Sequence, residues 1–95
     1  MKSTLQKALE ALNEEGVVGE TRSYSGRGMY GKSCLGVFLD DRAGHANLCQ
    51  LGGMLVHAAD ASDQYEVMCD LEGTKTDDLG LGTIVYWPSI EYVGE

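Results

Sequence analysis

The chain is poor in proline, aromatics and positive charge: it has one proline, Pro88, one tryptophan, one phenylalanine and seven basic residues against fifteen acidic ones. Each scarcity excludes something. No low-complexity tract or internal repeat is present, so neither an array nor a disordered linker is expected. Cys34, Cys49 and Cys69 are odd in number and widely spaced, which argues against a disulfide framework and for reduced thiols in a cytosol. No apolar run approaches the roughly 18 residues of a transmembrane span, and Met1–Lys7 lacks the apolar core of a signal peptide. A cytoplasmic chain with no membrane contact is expected. Nor do the few cations form the broad basic footprint that duplex nucleic acid requires.

What charge there is lies unevenly. Residues 1–59 hold six acids and six bases, whereas residues 60–95 hold nine acids and one base, Lys75. The net charge of −8 therefore belongs to the C-terminal part. An acidic half of this kind suits a basic protein surface.

Ninety-five residues make one domain. Ser3 stands at an N-cap with Gln6 at the capping-box position, and Leu5, Ala8, Leu9 and Leu12 repeat on one helical face, predicting a helix over 3–15 that Gly16 ends. Strands are expected over 17–24, 34–39, 64–71 and 81–87, with a short edge strand over 89–93 after Pro88. In 64–71, Tyr65, Val67, Cys69 and Leu71 alternate with polar residues. Residues 72–78 read as a polar loop. Over 45–60, Gly52-Gly53 weakens a continuous helix, so a strand or loop to Leu51 and a helix over 53–60 are expected. The sum is an α+β domain: an N-terminal helix on a mainly antiparallel sheet of four to five strands, with a second short helix.

One stretch stands apart. Ser25-Gly26-Arg27-Gly28-Met29-Tyr30-Gly31-Lys32-Ser33 packs three glycines, two cations and an aromatic ring between two predicted strands, and the eleven positions 22–32 contain no acid. Glycine lets backbone N–H groups approach an anion. The literal match of Gly26 to Ser33 with G-x-x-x-x-G-K-S fails by context, because strand rather than helix follows. The same context rejects a dinucleotide site. The plain alternative is a hairpin turn with solvated cations. As a ligand site, Arg22, Tyr24, Gly26, Arg27, Gly28, Tyr30, Gly31, Lys32 and Ser33 are the candidates. Arg27 would clamp a phosphate bidentately and a tyrosine would stack on a base. If the glycine N–H groups face an anion, Gly28→Ala should remove binding and spare the fold.

Other constellations are weaker. His45, Cys49, His57 and Cys69 lack the paired spacing of a zinc site. Cys34, His57 and Asp60 name the residue types of a nucleophilic triad, with nothing local to activate the thiol. No cofactor, no metal and no enzymatic activity are expected. Asp60, Asp63, Glu66, Asp70 and Glu72 form an acidic track that reads as a soluble face or a protein-binding surface.

The segment Ser23-Tyr24-Ser25-Gly26-Arg27-Gly28-Met29-Tyr30-Gly31-Lys32-Ser33-Cys34-Leu35-Gly36 resembles one found in small phage-encoded proteins of unassigned role, over 14 of the 95 residues. Size, acidity and reduced thiols also resemble the anti-defence proteins of phages, among them anti-CRISPR inhibitors and sponges for nucleotide immune signals. The resemblance implies a phage or prophage origin more than a chemistry; joined to the residue reading above, it gives the expectation of a non-enzymatic binding protein in a host cytosol. Its partner would be an anionic, nucleotide-like ligand at the loop or a basic surface of a defence protein at the acidic half. A homo-oligomer is expected, since so small a domain builds a pocket more easily between subunits.

Overall fold

Ser3 caps the first helix as its position predicts, its Oγ accepting the Gln6 N–H at 3.1 Å. That helix, α1 (Thr4–Glu14), buries Leu5, Ala8, Leu9 and Leu12, and Gly16 follows it with φ of +77°. The computed structural model describes residues 1–94. After α1 come β1 (Thr21–Tyr24), a 3-10 turn (Met29–Gly31), β2 (Cys34–Asp40), α2 (Leu48–Ala58), α3 (Gln64–Leu71), β3 (Lys75–Asp78) and β4 (Gly82–Trp87).

The four strands form one antiparallel sheet in the order β1-β2-β4-β3. The fold is α+β, with an N-terminal helix, further helices and a four-stranded antiparallel sheet. Side chains alternate across a strand, so Leu35, Val37 and Leu39 of β2 and Val85 and Trp87 of β4 join the helix leucines in one buried core. Burying a side chain of this size contributes about 1.5–3 kcal/mol. The registers put Arg22, Tyr24, Gly36, Phe38, Ile84, Tyr86, Lys75 and Asp77 on the opposite face.

Five expectations are corrected. Residues 64–71 form a helix, not a strand. Tyr65 is 78% exposed and Cys69 is exposed, while Val67 is fully buried; the alternation in the sequence was incidental, and the core takes one helical stripe. Residues 75–78 are a strand, not loop: an edge strand tolerates charge, and the register Lys75↔Tyr86 to Asp78↔Thr83 supplies the pairing that propensity does not. The 45–60 segment is one helix over Leu48–Ala58, capped by Asn47. Burial of Leu51 and Leu55 outweighs the two glycines. The strand expected from residue 17 begins at Thr21; before it, Val18 is buried in the core and the Gly19 N–H donates to the Phe38 carbonyl at 3.1 Å.

No strand forms over 89–93. The Ile90 N–H turns back to the Trp87 carbonyl at 3.0 Å, and the Ile90 carbonyl accepts the Leu35 N–H at 2.8 Å. Val93 is then taken by a side chain. Gln6 is fully buried; its Nε2 donates to the Val93 carbonyl at 2.7 Å and its Oε1 accepts the Val93 N–H at 2.9 Å. One amide thus does for the C-terminal segment what a neighbouring strand would do.

Gln6→Leu keeps the size and the helix but strands both Val93 backbone groups. We expect a loss of about 2 kcal/mol, the cost of unpaired buried polar groups, in denaturant unfolding, with faster amide exchange at Val93. Unchanged exchange there would refute the clamp.

Candidate functional site

No helix contributes to the outer face of the sheet described above, so its residues cover one another. A Cβ at Gly36 would collide with the Tyr24 ring, and one at Gly82 would stand 2.6 Å from Phe38 Cζ. Each ring therefore lies flat over a glycine of the adjacent strand. Burial raises the Tyr24 phenol pKa, with Arg22 and Arg27 opposing the shift.

Arg27 crosses this face. It leaves the β1–β2 loop, and its Nη2 donates to Asp77 Oδ2 on the far edge strand at 2.8 Å. On the way its guanidinium stands 5.9 Å from the Tyr24 ring centre and 6.0 Å from that of Tyr86. The Asp77 hydrogen bond is the main reason its pKa is raised further. The cation expected to clamp a phosphate is thus tied to a carboxylate and two ring faces.

The loop uses its own N–H groups in the same way. Gly28 N–H donates to the Lys32 carbonyl at 2.6 Å, Gly31 N–H to the Gly28 carbonyl at 3.2 Å, Lys32 N–H to the Met29 carbonyl at 3.2 Å, and Met29 N–H to the Pro88 carbonyl at 3.3 Å. Gly26 and Gly31 take φ of +78° and +77°, as the turn requires. Between them Tyr30 also adopts the left-handed region, at φ 58° and ψ 28°, and the residue is 93% exposed. Ser33 leads directly into β2, so no helix opens after Lys32.

The candidates therefore separate into three sets. Arg22 and Tyr24 line an outer-face cavity of about 350 Å³ with Gly19, Glu20, Phe38, Leu79 and Ile84. Arg22 stands 5.0 Å over the Tyr24 ring. Tyr30, Lys32 and Ser33 line a different, smaller concavity of about 280 Å³ with Met29, Pro88, Ser89 and Glu91. Gly26, Arg27, Gly28 and Gly31 shape the loop and line neither. Sequence reasoning missed Phe38, Ile84 and Leu79 as cavity residues and Asp77 as the partner of Arg27. The alternation within β2 carries Phe38 to the outer face, but nothing local in the sequence ties Asp77 to Arg27.

The acidic track becomes a helix. Asp63 is the N-cap of α3 and Glu72 its C-cap; Asp63, Glu66 and Asp70 fall on one face, and Asp60 sits in the preceding turn. Burial, and then the Glu66 charge, raise the Asp70 carboxyl above its ordinary value. Elsewhere, His45 Nδ1 accepts the Asp40 N–H at 2.9 Å. Cys34 is buried, and burial pushes its thiol up, the opposite of an activated nucleophile. Among the described residues no three metal-ligating side chains converge, and no helix is long and apolar enough to cross a membrane.

Comparison with family models, curated proteins and solved structures returns no match to this chain.

Two outcomes follow. A Cβ at Gly28 would stand 2.6 Å from the Lys32 carbonyl oxygen and 2.9 Å from that of Ser33. Gly28→Ala therefore does not spare the fold, and thermal unfolding should register a loss of about 1–3 kcal/mol from overpacking. For Asp70, folding favours the protonated form, so its stabilising contribution is full below the unfolded pKa of 3.8 and lost as pH rises through the raised folded value. Asp70→Asn should raise the melting temperature at pH 7, with the gain shrinking towards pH 3; a gain independent of pH would refute the assignment.

Proposed function

We propose that the chain is a non-enzymatic binding protein of the phage anti-defence kind, whose outer-face cavity takes an anionic, nucleotide-like ligand. One observation carries the reading. Arg22, exposed and with no carboxylate partner among the described residues, overhangs an apolar cavity floored by Tyr24, Phe38 and Ile84. A planar base stacks on such a floor, and a guanidinium at its wall binds phosphate through a two-pronged hydrogen bond. The volume of about 350 Å³ lies at the lower end of small-ligand sites. Glu20, on the same wall, accepts hydrogen bonds from ligand hydroxyl or amino groups. Arg27 supports this site as a strut, holding the loop across the sheet. The setting in phage counter-defence rests on the resemblance of residues 23–36.

A second reading is favoured by the helical form of the acidic track. Because α3 is a helix, Asp63, Glu66 and Asp70 present one charged face, suited to a basic surface of a host defence protein.

The test is a thermal-shift screen against mono-, di- and cyclic nucleotides. A ligand at about 100 times its dissociation constant adds about 2.7 kcal/mol of stability. Arg22→Ala should abolish the shift and Arg22→Lys should weaken it, because a point charge cannot reproduce the fork. Asp63→Asn with Glu66→Gln should leave it intact. No shift with any nucleotide at millimolar concentration would reject the ligand reading and leave the acidic helix in front.

A further inference from the structure

Tyr24 lines the outer-face cavity and is only 8% exposed, yet its hydroxyl makes no hydrogen bond among the described residues. The fold needs only the ring, which covers Gly36 and carries Arg22. Phenylalanine would supply both without holding a polar group in a buried place. Arg22 and Glu20 both act electrostatically on the phenol and line the same cavity, so the hydroxyl faces the hollow they share. Burial keeps it protonated, and a protonated phenol donates.

The two charges on the wall are likewise unpaired. Arg22 and Glu20 are two residues apart, yet neither forms an ion pair among the described residues. Arg22 lies over the Tyr24 ring instead, 5.0 Å from its centre. Arg22 and the phenol are thus neighbouring donors, suited to one anion. Glu20 is an acceptor, and its place is fixed. Thr21 pairs with Val37, and the Gly19 N–H donates to the Phe38 carbonyl, so Glu20 between them stands beside Phe38, on the floor where a base stacks. A carboxylate accepts only from donors. An exocyclic amino group on the base pairs with it, whereas a carbonyl in the same position sets acceptor against acceptor. At about 350 Å³ the hollow has room for one nucleotide and not for two linked ones.

Given the ligand reading above, on which this rests, we infer that the cavity selects a single nucleoside monophosphate of an amino-bearing base, adenine or cytosine, with the phosphate held jointly by Arg22 and the Tyr24 hydroxyl and the amino group by Glu20. Adenosine and cytidine monophosphates match all three groups. Inosine and uridine monophosphates meet Glu20 with a carbonyl. The nucleosides leave Arg22 and the phenol without an anion, and a cyclic dinucleotide exceeds the hollow.

Isothermal titration compares AMP with IMP, CMP with UMP, and each with its nucleoside and with cyclic di-AMP. The tighter of AMP and CMP should exceed its carbonyl counterpart, its nucleoside and cyclic di-AMP by at least about tenfold, the effect of one mismatched polar contact. Tyr24→Phe should weaken that monophosphate about ten- to a hundredfold through the lost hydrogen bond to a charged group. Its melting temperature should equal or exceed that of the wild type, because no internal bond is lost. Glu20→Gln should bring the amino and carbonyl nucleotides to similar affinity, since an amide both donates and accepts. Equal binding of amino and carbonyl nucleotides by the wild type, tighter binding of cyclic di-AMP, or full affinity in Tyr24→Phe overturns the inference and leaves the ligand reading standing. A blank with these compounds and with every nucleotide of the thermal-shift screen overturns both.

Discussion

The structure turns on a one-sided sheet. Three helices share a core with one face of it, and nothing of comparable size covers the other. Yet the central strand β2 carries apolar residues in both directions: Leu35, Val37 and Leu39 towards the helices, Cys34 and Phe38 away from them. A four-stranded sheet with a bare apolar face would be an invitation to aggregate. The chain answers with glycine. Gly36 and Gly82 remove the side chains that would stand between neighbouring strands, and the rings of Tyr24 and Phe38 lie down in the space. The face becomes thin and aromatic instead of deep and aliphatic. Arg27 completes it by binding two ring faces and a carboxylate from the opposite edge. A surface built this way leaves little bare aliphatic area and still keeps a cavity beside Arg22.

That arrangement divides three neighbouring cations among different tasks. Arg22, Arg27 and Lys32 look equivalent in the sequence. In the fold Arg27 is committed to Asp77, Arg22 overhangs the outer-face cavity, and Lys32 stands at the loop tip with Tyr30. The glycines divide likewise. Gly26 and Gly31 are needed for positive φ, whereas Gly28 is needed because two carbonyl oxygens occupy the space a Cβ would take. A reading that pools the loop into one anion cradle misses that its N–H groups close the loop on itself.

Much of the scaffold was legible before any coordinates. The α1 stripe and its Ser3 cap, the β1–β2 hairpin around the glycine loop, and β4 ending at Pro88 all follow from local pattern, because their local preference and tertiary setting agree. The failures share a cause. Residues 64–71 alternate well enough for a strand, but only Val67 of the supposed inward set is fully buried. Lys75-Thr76-Asp77-Asp78 has little strand propensity beyond Thr76 and is a strand because β4 offers it an edge and Arg27 holds Asp77. Val93 is clamped by Gln6 from 87 residues away in the chain. In each case tertiary packing decides, and for Asp77 and Val93 the partner is so distant in sequence that no local window contains it. The site was half visible for the same reason. Arg22 and Tyr24 could be named from the loop's surroundings, while Phe38, Ile84 and Leu79 join them only through strand register.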